Sequence, residues 1–263
     1  MFNIIVCMKQ VLDPEMPLSL FDIDTEAKRA IQPRATPPVF SPFDENALEA
    51  ALRIKDIQES NVTVISLGKK LTRAVVTSAL AAGADNLFLL QDEAFDEFNT
   101  HLTAYAIAAA VKKIGQYHLI LCGLQAADTN AGQVGTYIAY ILGIPCITEA
   151  HKVTFDNDSI RVKRTAPDGY ETIEAPTPAV VTTTGEVGVL RKPDIRAFVS
   201  AVKKPITTWN AEELGIETAD TSRFTIVNMS IPTHEGSCEI VDGSSPEEKA
   251  RNLATKLREI NVI

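Results

Sequence analysis

The chain has 263 residues, 45% of them apolar and 22% charged, with a net charge of −9. That length suits one large α/β domain with an appendage, or at most two domains, and buries a full core without covalent staples. The acidic balance, 34 Asp and Glu against 25 Lys and Arg, argues against a general polyanion binder such as a nucleic-acid protein, which needs a basic footprint to displace counterions. A single bound nucleotide stays open, because backbone amides alone can hold its phosphates.

Short apolar runs alternate with longer amphipathic stretches. Ile4 to Met8 reads as a buried first strand. Asp44 to Gln58 carries Ala47, Leu48, Ala51, Leu52 and Ile54 at helical spacing, and Ser41-Pro42 with acidic Asp44 and Glu45 marks its start. Asn61 to Leu67 is a β-branched second strand ending at Gly68. Thr72 to Ala82 is a helix closed by Gly83, and Asn86 to Leu90 is a third strand. Thr100 to Ile114 is an Ala-rich helix closed by Gly115, and His118 to Cys122 is a fourth strand. Gly132 to Leu142 is helical up to Gly143-Ile144-Pro145. Strand and helix alternate, with no short hairpin expected in the first 145 residues, which predicts an α/β fold with parallel strands and crossover helices.

The second part reads differently. Lys152 to Phe155 and Ser159 to Arg164 flank Asn157-Asp158 and predict a hairpin, and Glu171 to Glu174 and Ala179 to Thr184 add β character. Arg191 to Pro205 is basic, while Thr218 to Gly243 has little periodicity. A last helix is marked by Ser245 as cap, Pro246 in the first turn, Glu247 and Glu248 facing the dipole, and Lys256 and Arg258 near the end. The irregular stretch before it either folds back on its own domain or embraces a partner.

Chemistry-bearing residues are sparse. Cys7, Cys122, Cys146 and Cys238 form no CxxC pair and read as small hydrophobes in a reducing compartment. His101, His118, His151 and His234 are scattered, so no metal site is expected. No GxSxG elbow or paired buried carboxylates are seen, and no catalytic residue is assigned. The opening residues carry no basic leader, and no run approaches the roughly 18 apolar residues of a membrane span; the expectation is a cytoplasmic protein.

In a parallel sheet, ligands sit beyond the carboxyl ends of the strands. Three loops would meet there: Lys9 to Pro14, Ser41 to Glu45, and Gly123 to Thr136. The third is rich in small and polar residues and runs from a buried strand into a helix N-terminus, where exposed amides suit a phosphate. It matches neither GxGxxG nor a Walker loop, so a nucleotide site and a plain structural turn both stand on spacing alone. Asp128, Asn130 and Gln133 suit a ribose or a purine edge, and Lys9 suits a phosphate or an interface.

Met8-Lys9-Gln10-Val11 with Asp13-Pro14, Ser41-Pro42-Phe43-Asp44-Glu45-Asn46-Ala47-Leu48, Ala79 to Asp85, Gly123 to Gly135, Val162-Lys163-Arg164 through Gly169-Tyr170-Glu171 to Val181, and Lys203-Lys204-Pro205-Ile206 together resemble the β subunits of electron-transferring flavoproteins, over nearly the whole chain. The resemblance implies a Rossmann-like domain over residues 1–217 and a C-terminal arm and helix over 218–263 that pack on an α subunit. It implies an electron carrier rather than a catalyst. FAD would be shared with the α subunit, and this chain's own site would hold AMP or, in electron-bifurcating members, a second FAD. The nucleotide would draw on Cys7, Lys9, Ser41, Ser66, Gly123, Gln125, Asp128, Asn130, Gln133, Val134, Gly135 and Thr136. Acyl-CoA dehydrogenases or related flavoenzymes would dock on a loop at about 187–198, anchored by Ile195; the residues alone equally allow Ile195 to begin a buried helix turn with Phe198 and Val199. Asp128 to Thr136 fits neither branch fully, and Gly188-Val189-Leu190-Arg191-Lys192 replaces the family's usual Asn-Glu-Pro-Arg-Tyr. A nucleotide sensor without redox role is the alternative.

Overall fold

The computed structural model describes residues 1–97, 99–156, 159–217, 226–232, 236 and 238–263. Apolar β-branched runs form the strands β1 (Phe2–Cys7), β6 (Ser60–Gly68), β7 (Asn86–Gln91), β8 (Leu119–Gly123) and β12 (Ala179–Thr183). Two-residue ribbons precede β6: β2 (Gln10–Val11) pairs β5 (Val39–Phe40), and β3 (Ile23–Asp24) pairs β4 (Arg29–Ala30). Completing the sheet are β9 (Cys146–Asp156), β10 (Ser159–Ala166), β11 (Gly169–Pro176) and β13 (Ile206–Trp209). Helices α1 (Pro42–Ile57), α2 (Arg73–Ala82), α3 (Thr100–Ile114), α4 (Val134–Leu142), α5 (Ile195–Ala201) and α6 (Pro246–Glu259) fill the connections.

Nine strands form one sheet in the order β11-β10-β9-β12-β8-β1-β6-β7-β13. All neighbours are parallel except the β9-β10-β11 edge. From β1 the chain builds outwards through β6 and β7, then crosses back through α3 to β8 on the other side of β1. Strand order therefore reverses between β1 and β8, where Cys7 lies in register with Cys122. Open α/β sheets bind ligands beyond the strand ends at such a reversal.

Alternating side chains feed two cores. Ile4, Val6, Val62, Val64, Leu119 and Leu121 face α1 and α2, while Ile5, Ile65, Ile120 and Val180 face α3 and α4. Glycines close α2, α3 and α4 as expected, Gly83, Gly115 and Gly143 all lying at positive φ. The expected parallel strands and crossover helices are present. Three expectations are corrected. The first 145 residues do contain antiparallel ribbons, each too short to show a period of two. Residues 206–209, given no element, extend the sheet beside β7. Ile195 is not on a loop: Asp194 accepts a hydrogen bond from Ala197 N at 2.7 Å and starts a helix there. The predicted turn residues 157 and 158, His234, and residues 218–225 lie outside the described set.

The helix α6 starts at Ser245 as expected, and Ser245 Oγ accepts from Glu248 N at 3.3 Å. It buries none of its residues; Leu253 is 46% and Ile260 60% exposed.

Gly123 sets how closely α1 approaches β8. A Cβ there would meet Asp44 Oδ1 at 2.5 Å and the Phe43 carbonyl carbon at 2.6 Å, mostly immovable backbone. Gly123→Ala should lower stability by about 3 kcal/mol, read as an earlier urea midpoint at unchanged slope; an unmoved midpoint would show that the contact is not tight.

Candidate functional site

The sharp turn at Ser41-Pro42 sends α1 up under the strand ends, and its third residue, Asp44, enters the reversal point almost fully buried. Its carboxylate accepts two backbone donors: Lys9 N to Oδ2 at 2.8 Å and Gly123 N to Oδ1 at 3.1 Å. One side chain thus joins the ends of β1 and β8. Ser41 completes the tie. Its N–H donates to Lys9 O at 2.9 Å, and its hydroxyl accepts from Ala127 N at 3.3 Å rather than capping α1. The three loops predicted to meet do meet, and Asp44, read from sequence only as a dipole partner, is their junction.

Above it lies a polar rim. Lys9 Nζ pairs with Asp128 at 2.7 Å, both side chains partly exposed, so the pair itself contributes little to stability. Gln125 Nε2 donates to Asn130 Oδ1 at 3.0 Å, and Asn130 stands at φ 49°, a conformation that Asn tolerates better than most residues. Thr100 Oγ1 donates to Gln133 Oε1 at 2.8 Å, drawing the loop against α3. Gln133 precedes α4 and makes no side-chain cap bond, so the first-turn amides of α4 keep their donor capacity.

The remaining predicted residues occupy two sides of the sheet. Cys7 and Cys122 are buried on the α4 face. A hydrogen bond to Cys7 and burial push the Cys122 thiol well up, which keeps it a neutral packing group. Val134 packs on that same core, and Thr136 is exposed on the first turn. Gly135 faces the sheet: a Cβ there would meet Thr182 Cγ2 at 2.7 Å. Its glycine is therefore required by helix–sheet contact. Ser66 is 1% exposed on the α1 face, and among the described residues nothing hydrogen-bonds its hydroxyl. Ile195 is 83% exposed on α5 and belongs to none of the three crevice loops. Among the described residues no group of three potential ligands can hold a metal ion, and no helix is long and apolar enough to cross a membrane.

An orphaned buried hydroxyl, uncapped helix amides and a rim of acid and amide side chains are the kinds of donor and acceptor that a nucleotide's phosphates, ribose and base can use. The residues present fit such a group.

Burial pushes the Asp44 carboxyl up to about 7, only partly offset by the donors Lys9 N and Gly123 N. A raised carboxylate pKa means that the unfolded chain ionises first, so this group's contribution to stability falls as pH rises from about 4 to about 7 and is flat above. The fall should be on the order of 4 kcal/mol, measured as the stability of the wild type relative to Asp44→Asn across pH 4 to 8. A difference independent of pH would show an ordinary carboxylate.

Residues 31–214 match the family described as Electron transfer flavoprotein domain. The electron transfer flavoprotein subunit beta of Clostridium acetobutylicum is 35% identical over 265 residues, 99% of this chain and 100% of that protein. That of Thermoanaerobacterium thermosaccharolyticum is 37% identical with the same coverage. The caffeyl-CoA reductase-Etf complex subunit CarD of Acetobacterium woodii is 33% identical, again over 99% of this chain and 100% of its own length. With the family match over residues 31–214, the full-length likeness and an α/β fold in agreement, the chain belongs to the electron transfer flavoprotein family, as a β subunit.

Proposed function

We propose that the chain works as one half of a heterodimer that carries electrons between acyl-CoA dehydrogenase-type flavoenzymes and other redox carriers. FAD held with the α subunit supplies the redox chemistry; this chain covers that flavin and buries an adenine nucleotide, AMP or a second FAD, in its own crevice. The observation that carries the reading is the reversal-point crevice with unspent α4 amides at its edge, together with the orphaned buried hydroxyl of Ser66 near the end of β6, in a chain of this family. A sensor without redox role would share the crevice but not the flavin. Cofactor extraction from the purified complex decides: one FAD with AMP marks a plain carrier, two FAD the bifurcating type, and no flavin the sensor.

The phosphates are assigned to the amides of Gln133 to Thr136, with Lys9 as the nearby cation. Ser66 gives the cleaner test, since a buried hydroxyl without a partner costs about 1–3 kcal/mol. Ser66→Ala should stabilise the nucleotide-free protein and still lower nucleotide affinity roughly tenfold. Unchanged affinity would remove Ser66 from the site.

The tail from residue 218 onwards is assigned to the α subunit. Leu253 and Leu257 on α6 and Ile260 at its C-cap form one apolar row that this chain does not fully bury. Deleting residues 218–263 should abolish co-purification with the α subunit and leave the core folded by circular dichroism; retained association would place the interface elsewhere.

Docking of the dehydrogenase is assigned to the first turn of α5. Ile195 lies between Asp194 and Arg196, an apolar anchor in a polar rim. Ile195→Ala should weaken electron transfer to the partner about tenfold, or 1.4 kcal/mol, with cofactor content unchanged. A fall in melting temperature with intact partner kinetics would instead make Ile195 a packing residue.

A further inference from the structure

The segment joining β12 to α5 is fastened to one stripe of α1, formed by Asn46, Glu49, Arg53 and Asp56 at helical spacing. Val187 is buried, and Leu190 packs on the α1-side core. Asn46 Nδ2 donates to Gly188 O at 2.7 Å, and Arg53 donates to the Val187 carbonyl. Gly188 stands at φ +126°, and a Cβ there would run into the Arg53 guanidinium.

Arg191 is the last and strongest fastening. Its N–H and Nε donate to Glu49 Oε2 at 3.1 Å, and Nη2 reaches Glu49 Oε1 at 3.1 Å. Nη1 and Nη2 also hold Asp56 Oδ1 and Oδ2 at 3.0 and 2.8 Å. Glu49 is buried; burial pushes its carboxyl up, but the bonds from Arg191 and Arg53 outweigh this and leave it below the usual range. A planar guanidinium can serve two carboxylates at once, whereas an ammonium cannot match that fork.

Beyond Arg191 the chain reaches α5, which lies along α2 without burying its first turn. No residue from 192 to 200 is buried. The next fixed points are Ala201, 1% exposed, and Lys204, whose Nζ donates to Ala84 O at 2.7 Å. The first turn of α5 thus lies between the clamp four residues before it and the fixed points at its far end, with its outer face exposed.

We propose that Arg191, through its two-carboxylate clamp on α1, is a positioning residue that fixes how the first turn of α5 presents Ile195 to the redox partner. This rests on the docking assignment of Ile195. A pre-set surface loses less freedom on binding, so a loosened one should bind more weakly without altering the electron-transfer step itself.

The test uses the α–β complex with a purified acyl-CoA dehydrogenase as probe. Arg191→Lys and Asp56→Asn each break the Asp56 prong while leaving buried Glu49 a cation. Both should raise KM for the dehydrogenase roughly three- to tenfold, with kcat and flavin content kept, and should speed hydrogen exchange over residues 193–200. Asp56 is largely exposed, so its variant should fold even if the arginine variant does not. The double variant should be no worse than either single one, because both remove the same interaction. Unchanged KM in both, with Ile195→Ala raising it, would overturn the clamp and leave the docking assignment standing. If Ile195→Ala also leaves KM unchanged, the docking assignment fails and this inference with it.

Discussion

One buried carboxylate organises the crevice. The two oxygens of Asp44 accept from N–H groups at the ends of β1 and β8, the two strands between which the order reverses. Desolvating a carboxylate costs more than two neutral donors return, as its raised pKa shows. A buried charge held at such cost is poor evidence of stabilisation. What it achieves is geometric: three loops that could each wander are drawn to one point. Gly123 follows from the same constraint, because the oxygen occupies the place where its Cβ would be. So does Ser41, whose hydroxyl holds Ala127 instead of capping its own helix.

The helix that delivers Asp44 has a second task. Two residues further on, Asn46 begins the stripe that holds residues 187–191. α1 is thus a common support for the proposed nucleotide crevice at its N-terminus and for the approach to α5 along its flank. Its apolar face, with Ala47, Leu48, Ala51 and Leu52 buried against the sheet, fixes its rotation. Once that rotation is set, the directions of Asp44 and of the Asn46–Asp56 stripe are set too, because all lie on one 3.6-residue cylinder.

This explains what could and could not be read from the sequence. Parallel strands and crossover helices were legible because each apolar run repeats at its own period, and glycines ended three helices where expected. The crevice loops were legible because strand ends fix where loops gather. Asp44 was not, since an acid in a first turn already has a sufficient local reason in the helix dipole, and only the tertiary fold shows its second donor 79 residues away. The bond of Glu49 to Arg191 spans 142 residues, and nothing local marks it. Two-residue ribbons carry no period at all. The resemblance and the flanking charges favoured a loop at Ile195 over a helix start, yet one of those charges, Asp194, is the cap that starts the helix, and Ile195 stays exposed on it.

The acidic character of the chain and its proposed anionic ligand are compatible for a related reason. The crevice holds two carboxylates, Asp44 and Asp128, against the ammonium of Lys9, which Asp128 already engages. Side-chain charge alone would therefore repel a phosphate. What the proposed site offers instead is neutral and directional: the first-turn amides of α4, whose partial positive charge needs no basic residue, and, as assigned, the Ser66 hydroxyl. A site built this way selects by shape and hydrogen bonding, and it does not draw in polyanions that a basic cleft would collect. Protonation of Asp44 near neutral pH lowers the local negative charge further. The same carboxylate that gathers the loops can then stay neutral beside an anion, which reconciles its burial with the chemistry assigned to the crevice.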